Sequence, residues 1–392
     1  MPVDLPDWSD PATLSAPHDA YQTLLDGARV SFSPAVGGWI VAGYDEVTEL
    51  LFDERLSAAG PQGFMAMLPD EARAELEPLR NFFAHWMVFS DEPYHSDVKN
   101  RLTRAWSGRR VEAWRPLVQQ AIAAQLAGLG DGVVDAVDDL ARPLSNRIIG
   151  EILGIPEEDR AMMDGWSADI IGFIVTPQPD WDRGRRAQVA AGALEAYAWE
   201  MATRQPEHML APLAPLGRVA VAATMAQLLT GGIDPLTAAL ASLMHQVVEG
   251  QLPPGRKSDP AGTRQDVEES LRLSCPFTLA PRLAREDIVL AGRPVPAGEM
   301  INLLMAAANR DPLRYAEPDR FLPRPAGMSQ QLAFGLGAHY CLGAGLARIV
   351  LTEFAAQLSC PHQAFAPAGA PEWIPAFGIR MPVRLPVRRV RA

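Results

Sequence analysis

Cysteine is scarce in this chain: Cys275, Cys341 and Cys360 are the only three in 392 residues, too few and too scattered for a disulfide framework or a zinc cluster. A reducing compartment suits such a protein. Long basic runs are also missing, and a formal charge of −12 argues against a nucleic-acid surface. The N-terminal stretch MPVDLPDWSDPATL lacks both the basic n-region and the apolar h-region of an export signal. The expectation is a cytoplasmic protein that meets neither nucleic acid nor membrane. One stretch, Val219 to Val248, is apolar enough to resemble a membrane span, which needs about 20 predominantly apolar residues. Gln227, Thr230, Gly231, Gly232, Asp234 and Pro235 interrupt its centre, where a carboxylate would cost most. A long helix buried through a large domain fits better, and the few polar residues on such a helix serve a purpose.

What the chain does contain is apolar residue at 48% and charge at 21%, the balance of a globular protein with a large core. No internal repeat and no long linker divides it, so one domain spanning 1–392 is expected. The fold class is mainly α with a small β region. Helices are expected around Ala20–Gly27, from Tyr44, over 93–110, 111–129, 133–153, 159–174 and 182–203, and after Glu268. GWIVA at 38–42 reads as a strand, and IVLAGRPVPAGEMIN as short strands joined at Gly292 and Gly298. Gly60 to Leu68 and Phe82 to Phe89 read as loops rich in Phe and Met. Pro177-Gln178-Pro179-Asp180 connects two helices.

The stretch around which the rest is organised is FGLGAHYCLGAGL, Phe334 to Leu346. Glycines let the backbone wrap closely around whatever the Cys341 sulfur touches. The following helix presents free N–H groups and partial positive charge, which favours a thiolate. A thiolate held this way is a good axial ligand for haem iron. An arbitrary cysteine beside a turn is more often a buried structural residue. Here FGLGAHYCLG resembles, position by position, the F-G-x-G-x-H-x-C-x-G signature of bacterial cytochrome P-450 enzymes.

That resemblance implies haem b (iron protoporphyrin IX) bound through Cys341, with Phe334, His339 and Gly343 around it. In PYHSDVKNRLTRAWSGRR, His95 and Lys99 are four apart and share a helix face. On any other chain this would be an ordinary solvated face. Here the pair resembles the family's H-x-x-x-R helix that binds a haem propionate, with Lys99 where most relatives carry Arg; the charge stays and the bidentate fork is lost. Arg282 matches the family arginine that meets a propionate. Glu269 and Arg272, three apart, resemble a buried structural triad, and RDPLRYAEPDRF offers Arg320 as its third member. A carboxylate held by two guanidinium groups would be costly to break. The resemblance further implies a fold with a long central helix over the haem, a monomer, and electrons from NAD(P)H delivered by a ferredoxin-type partner. The local basic residues Arg101, Arg104, Arg109 and Arg110 suit an acidic ferredoxin. A small-molecule substrate would meet Phe82, Ile174, Phe277, Thr278 and Phe377, all low in charge; Ile170, Ile171 and Phe173 are further candidates.

One segment departs from the family pattern. The proton-delivery motif A/G-G-x-D/E-T reads Gly231-Gly232-Ile233-Asp234-Pro235. Proline removes an N–H and crowds the Gly231 carbonyl, at about 3 kcal/mol or more in an ordinary helix. At about 100° per residue, Thr230 and Thr237 lie well round from Pro235, and neither replaces the missing hydroxyl. A water on the freed Gly231 carbonyl, or a polar group of the substrate, would then complete the relay from Asp234. Three readings follow. The first is a haem-thiolate monooxygenase acting on a small organic or secondary-metabolite molecule. The second keeps the haem for peroxide-driven oxidation, oxidative coupling or ring formation. The third is a non-catalytic haem sensor.

Overall fold

The computed structural model describes residues 4–59, 65, 67–174, 180–252, 259–325, 330–359 and 364–390. Cys360, Gly60–Phe64 and Pro177-Gln178-Pro179 therefore lie outside the described residues. The architecture is mainly helical and is built around one element, the 31-residue helix Arg218–Val248. It is long and apolar enough to pass for a membrane span, yet 61% of its most apolar window is buried inside the fold. Alanines at 220, 222, 223, 226, 238, 239 and 241 let neighbouring helices approach it closely. Trp181–Arg204, Arg142–Ile152, Pro260–Ser274 and Ala344–Leu358 all pack against it. Their apolar faces form the larger of two buried clusters.

The smaller cluster lies under a five-stranded sheet ordered Val30–Ser33, Gly38–Val41, Met300–Leu303, Ala280–Ala284 and Leu56–Ser57. Gly38–Val41 runs parallel to Met300–Leu303, with Trp39 opposite Ile301, and the remaining neighbours are antiparallel. Gly38 is required there, since a Cβ would stand 2.4 Å from the Met300 carbonyl oxygen. Arg282 sits on the fourth of these strands, opposite Ile301.

Four local expectations need correction. Phe82 lies on a helix, Glu77–Ala84, rather than in a loop; Pro78 sits in its first turn, where a missing N–H costs nothing. The expected helix 133–153 begins as a strand, Val133–Asp135, because two β-branched valines pair with Pro386–Arg388. A π-helical turn over Ala136–Ala141 precedes the regular helix, which starts at Arg142-Pro143. The expected basic helix 93–110 is two pieces, Tyr94–Thr103 and Gly108–Ala113.

The fourth concerns the triad. The Glu269 and Arg272 side chains are fully buried and joined by two bonds, of 2.9 and 2.8 Å. The third cation is Arg324, which reaches Glu269 at 2.6 Å, and not Arg320. Arg320 is 66% exposed and pairs with Glu317; only its backbone carbonyl meets Arg272, at 3.2 Å. The chain passing through Leu322 explains the exchange, because the Leu322 N–H also donates to Glu269 at 2.9 Å and delivers the next cation onto the carboxylate. Burial would raise the Glu269 pKa, but Arg272, the Leu322 N–H and Arg324 together hold it below the ordinary range. Its contribution to stability is therefore full above that ordinary range and is lost as the pH falls through the depressed value. Arg324→Met should cost about 2–3 kcal/mol, since one of two cations leaves a buried carboxylate. Arg320→Met should stay within about 0.5 kcal/mol, as exposed positions do. Urea unfolding of the two variants separates them.

Candidate active site

Cys341 is presented by a loop that only glycine permits. Gly335 and Gly337 have φ of +64° and +70°, and a Cβ on Gly337 would approach the Leu51 carbonyl oxygen to 2.9 Å. The Cys341 N–H closes the loop by donating to the Phe334 carbonyl at 2.9 Å. Beyond it the helix Ala344–Leu358 carries Arg348, whose guanidinium lies 4.5 Å from the Phe334 ring centroid. Arg348 also donates to the Tyr340 hydroxyl at 3.0 Å and to Glu268 at 2.5 Å. On the entering side, Tyr44 and Tyr315 both donate to the Gln330 carbonyl, and the Leu332 N–H donates to Asn309 at 2.7 Å. The guanidinium groups of Arg272 and Arg324 lie over the Tyr315 ring, so the triad and the cysteine loop share one rigid support.

The sulfur is subject to opposed influences. Burial raises the Cys341 pKa, while the N–H groups of Gly343 and Ala344 and the charges of Arg348 and Lys99 lower it. Burial wins, so the helix terminus alone does not make the thiolate that the sequence suggests. A cation at the sulfur would supply the remainder.

Beside this loop lies a cluster of bases short of acids: among the described residues only Glu92 bonds to it, at 3.3 Å from His95 Nδ1. The His95 and His339 rings are 4.2 Å apart between centroids. Arg282 is 7% exposed, and its side chain makes one hydrogen bond among the described residues, to the neighbouring Pro281 carbonyl at 2.8 Å. Lys99 donates to the carbonyls of Ala338 and Tyr340, the latter at 3.1 Å. Burial, then the charges of Arg282, His95 and Lys99, pushes the His339 pKa down to about 3. Burial likewise lowers those of Arg282, His95 and Lys99. The nearest acids are engaged elsewhere: Asp91 with Ser57 and Arg285, Glu92 chiefly with Ser96. A buried cation without an anion is expensive. Carboxylates brought by a ligand would neutralise this one, and a metal within the same ligand would meet Cys341. Those residues fit the carboxylates and iron of haem.

Along one stripe the central helix is not fully enclosed. Between Ala220 and Met244 only Gln227, Leu228, Gly231, Gly232, Asp234 and Pro235 are not buried. Nothing stands within 4 Å of a Cβ built on Gly231, whereas one on Gly232 would press on Ile149. Arg142 reaches Asp234 at 3.3 Å, and burial nevertheless raises the Asp234 pKa above the usual carboxylate value. Thr230 and Thr237 turn their hydroxyls back onto the carbonyls of Ala226 and Ile233. Neither offers a hydroxyl beside Pro235.

Of the five contact candidates, Phe82 and Thr278 are buried within the protein. Phe82 is buried in an aromatic cluster with Phe83 and Trp86, with ring centroids 5.7 and 6.2 Å away, and has no free face. Thr278 is 1% exposed and donates to the Phe377 carbonyl, while its N–H donates to the Gly378 carbonyl, so it ties the C-terminal turn down. Phe377 packs on Trp8 at 4.9 Å. Ile174 remains half-buried at the end of Glu157–Ile174, and Phe277 is exposed beside an isolated bridge to Ile379. Arg142, Glu268, Arg324 and Arg348 belong to the site or its support, yet no motif marks them. Only the Arg-Pro start of the Arg142 helix is a sequence signal, and it signals a helix, not a partner for Asp234.

The Cytochrome P450 family model matches residues 263–358. Among curated proteins, 6-deoxyerythronolide B hydroxylase of Saccharopolyspora erythraea is 31% identical over 345 residues, covering 84% of this chain and 84% of that protein. Vitamin D(3) 25-hydroxylase of Pseudonocardia autotrophica is 31% identical over 356 residues, covering 85% and 83%. The crystal structure of P450BioI in complex with a hexadec-9Z-enoic acid-ligated acyl carrier protein aligns with a TM-score of 0.86 at 27% identity, over 97% of this chain and 99% of that one.

A substitution of Arg282 separates the two roles of its charge. Arg282→Met should raise the stability of the haem-free chain, by removing a buried cation that lacks an anion, and should speed haem loss from the loaded protein. Thermal unfolding of the first and transfer of haem to an acceptor globin from the second would measure the opposite signs.

Proposed function

This chain belongs to the cytochrome P450 family of monooxygenases, and from that premise we propose that it oxidises a small organic or secondary-metabolite molecule with haem held by Cys341. His95, His339 and Arg282 would take the haem carboxylates, and Lys99 would brace the cysteine loop through the carbonyls of Ala338 and Tyr340. The single observation that carries the reading is the cluster of bases beside the cysteine loop, in which Arg282 is buried with no carboxylate bonded to it among the described residues. When bound, haem supplies activation of O2, favoured at a thiolate-bound iron by the electron density that sulfur provides. Electrons are proposed to come from NAD(P)H through a ferredoxin-type partner, in the cytoplasm, with the chain acting as a single-domain monomer.

The protein's own part is to shape the cavity and handle protons. Asp234 is the titratable group on the incompletely enclosed stripe of the central helix, and its raised pKa lets it hold a proton at higher pH than an ordinary aspartate. Arg142 limits that rise. Pro235 donates no N–H, so the Gly231 carbonyl keeps a free acceptor position one turn away. A water or a substrate hydroxyl on that carbonyl would take the place of the absent threonine. A second reading rests on the same residue: with both neighbouring threonines bonded to backbone, the site lacks the usual hydroxyl, which favours peroxide-driven oxidation, oxidative coupling or ring closure.

Pro235→Thr tests both. Under the relay proposed here, it should change the division of electrons between product and hydrogen peroxide at least severalfold, measured as product and peroxide per NAD(P)H with a surrogate ferredoxin system. Unchanged yield and unchanged peroxide would remove any special role for Pro235. Product formed with peroxide and not with the ferredoxin system would select the second reading.

A further inference from the structure

The open stripe on the central helix carries a polar group that neither iron binding nor proton delivery uses. Gln227, Gly231 and Pro235 follow at i, i+4 and i+8, and with Leu228, Gly232 and Asp234 they cover an arc of roughly 160°. Every other residue from Ala220 to Met244 is buried, so this arc is a window two turns long in an otherwise enclosed helix. Its chemistry is sparse. The glycines have no side chain, Leu228 is apolar, Asp234 is paired with Arg142, and Pro235 has no N–H. Gln227 alone in that window brings an uncharged donor.

The orientation of its amide is fixed by the neighbouring chain. The Val88 N–H stands 3.3 Å from Gln227, and a backbone N–H can only donate, so the atom it meets is the oxygen Oε1. The NH2 end is then the other one. It makes no hydrogen bond to a described residue and is not enclosed. A primary amide so tethered loses part of its freedom to the tether rather than to a ligand, which favours binding.

We propose that Gln227 is a specificity-determining residue: its NH2 donates to a neutral oxygen acceptor, a carbonyl or ether, at one end of the substrate. This rests on the reading of the cavity as a P450 substrate site. The rise of the helix places Gln227 about 12 Å along the axis from Pro235. The favoured substrate is therefore an uncharged molecule about 10 Å long whose acceptor lies at the end away from Pro235, next to the Met87–Phe89 turn. A hydrocarbon of equal size leaves the amide without a partner, and Arg142, the cation that reaches this window, is already engaged by Asp234, so a carboxylate is not favoured.

The probes are 4-phenylcyclohexanone and phenylcyclohexane, matched in shape and differing in one oxygen. Their binding to the purified holoprotein at pH 8 is measured by ferric spin-state titration and by equilibrium dialysis, which does not depend on the iron. The ketone should bind about five- to tenfold more tightly than the hydrocarbon, the contribution of one hydrogen bond. Gln227→Glu keeps an acceptor for the Val88 N–H and loses the donor, so it should bring the ratio to one or below. Gln227→Leu should do the same and also release the turn. A ratio near one in the unaltered protein, absence of binding by both probes included, would overturn the proposal, as would a preference that survives in Gln227→Glu. Failure of the underlying P450 reading would look different: the reduced, carbon-monoxide-bound protein would lack the thiolate-type Soret band.

Discussion

A buried guanidinium and two neighbouring imidazoles, Arg282, His95 and His339, lie together, and the one carboxylate bonded to them among the described residues is the half-exposed Glu92, 3.3 Å from His95. Desolvation depresses the basicity of all three, yet Arg282 stays ionised at any physiological pH and must have an anion or be costly. The rest of the architecture serves that constraint. The five-stranded sheet delivers Arg282, the helix Tyr94–Thr103 delivers His95, and the glycine loop delivers His339 together with the sulfur two residues on. A ligand bearing carboxylates and a metal satisfies the bases and the thiol at once.

Holding that geometry falls to a second polar assembly behind the loop. Glu269 collects Arg272, Arg324 and the Leu322 N–H, and Tyr315 stacks under both guanidinium groups while its hydroxyl donates to Gln330. Buried ion pairs of this kind contribute little net stability against an apolar core of equal volume, and their value lies in directionality. These bonds anchor the backbone at Pro318–Leu322 and at Gln330. Glu268 repeats the device one residue earlier, reaching Arg348 and Gln331 on the two sides of the loop.

The cysteine loop and the cluster of bases beside it were more legible in the sequence than the apolar contact residues, and the reason is physical. A backbone that must wrap a sulfur needs glycine at positive φ, as at Gly335 and Gly337, and such requirements leave a fixed spacing. The long buried helix was legible in the same way, from an apolar run with a few misplaced polar residues. The third triad cation was not, because Arg320 and Arg324 stand four apart in one irregular segment and only the tertiary path decides which turns inward. Arg142 was hidden for a similar reason: it meets Asp234 across 92 residues of chain. Phe82 and Thr278 show that apolar or small residues in expected places are as easily used for packing and turn closure as for contact with a ligand.

The account stands on Cys341 as the ligand of haem iron. The most direct measurement is the absorption spectrum of the purified protein after reduction and binding of carbon monoxide. A Soret band of the thiolate-ligated type, lost when Cys341 is replaced by serine, is the predicted result. A protein that binds haem and shows only the band of a neutral ligand, or one whose spectrum is indifferent to Cys341→Ser, would contradict it.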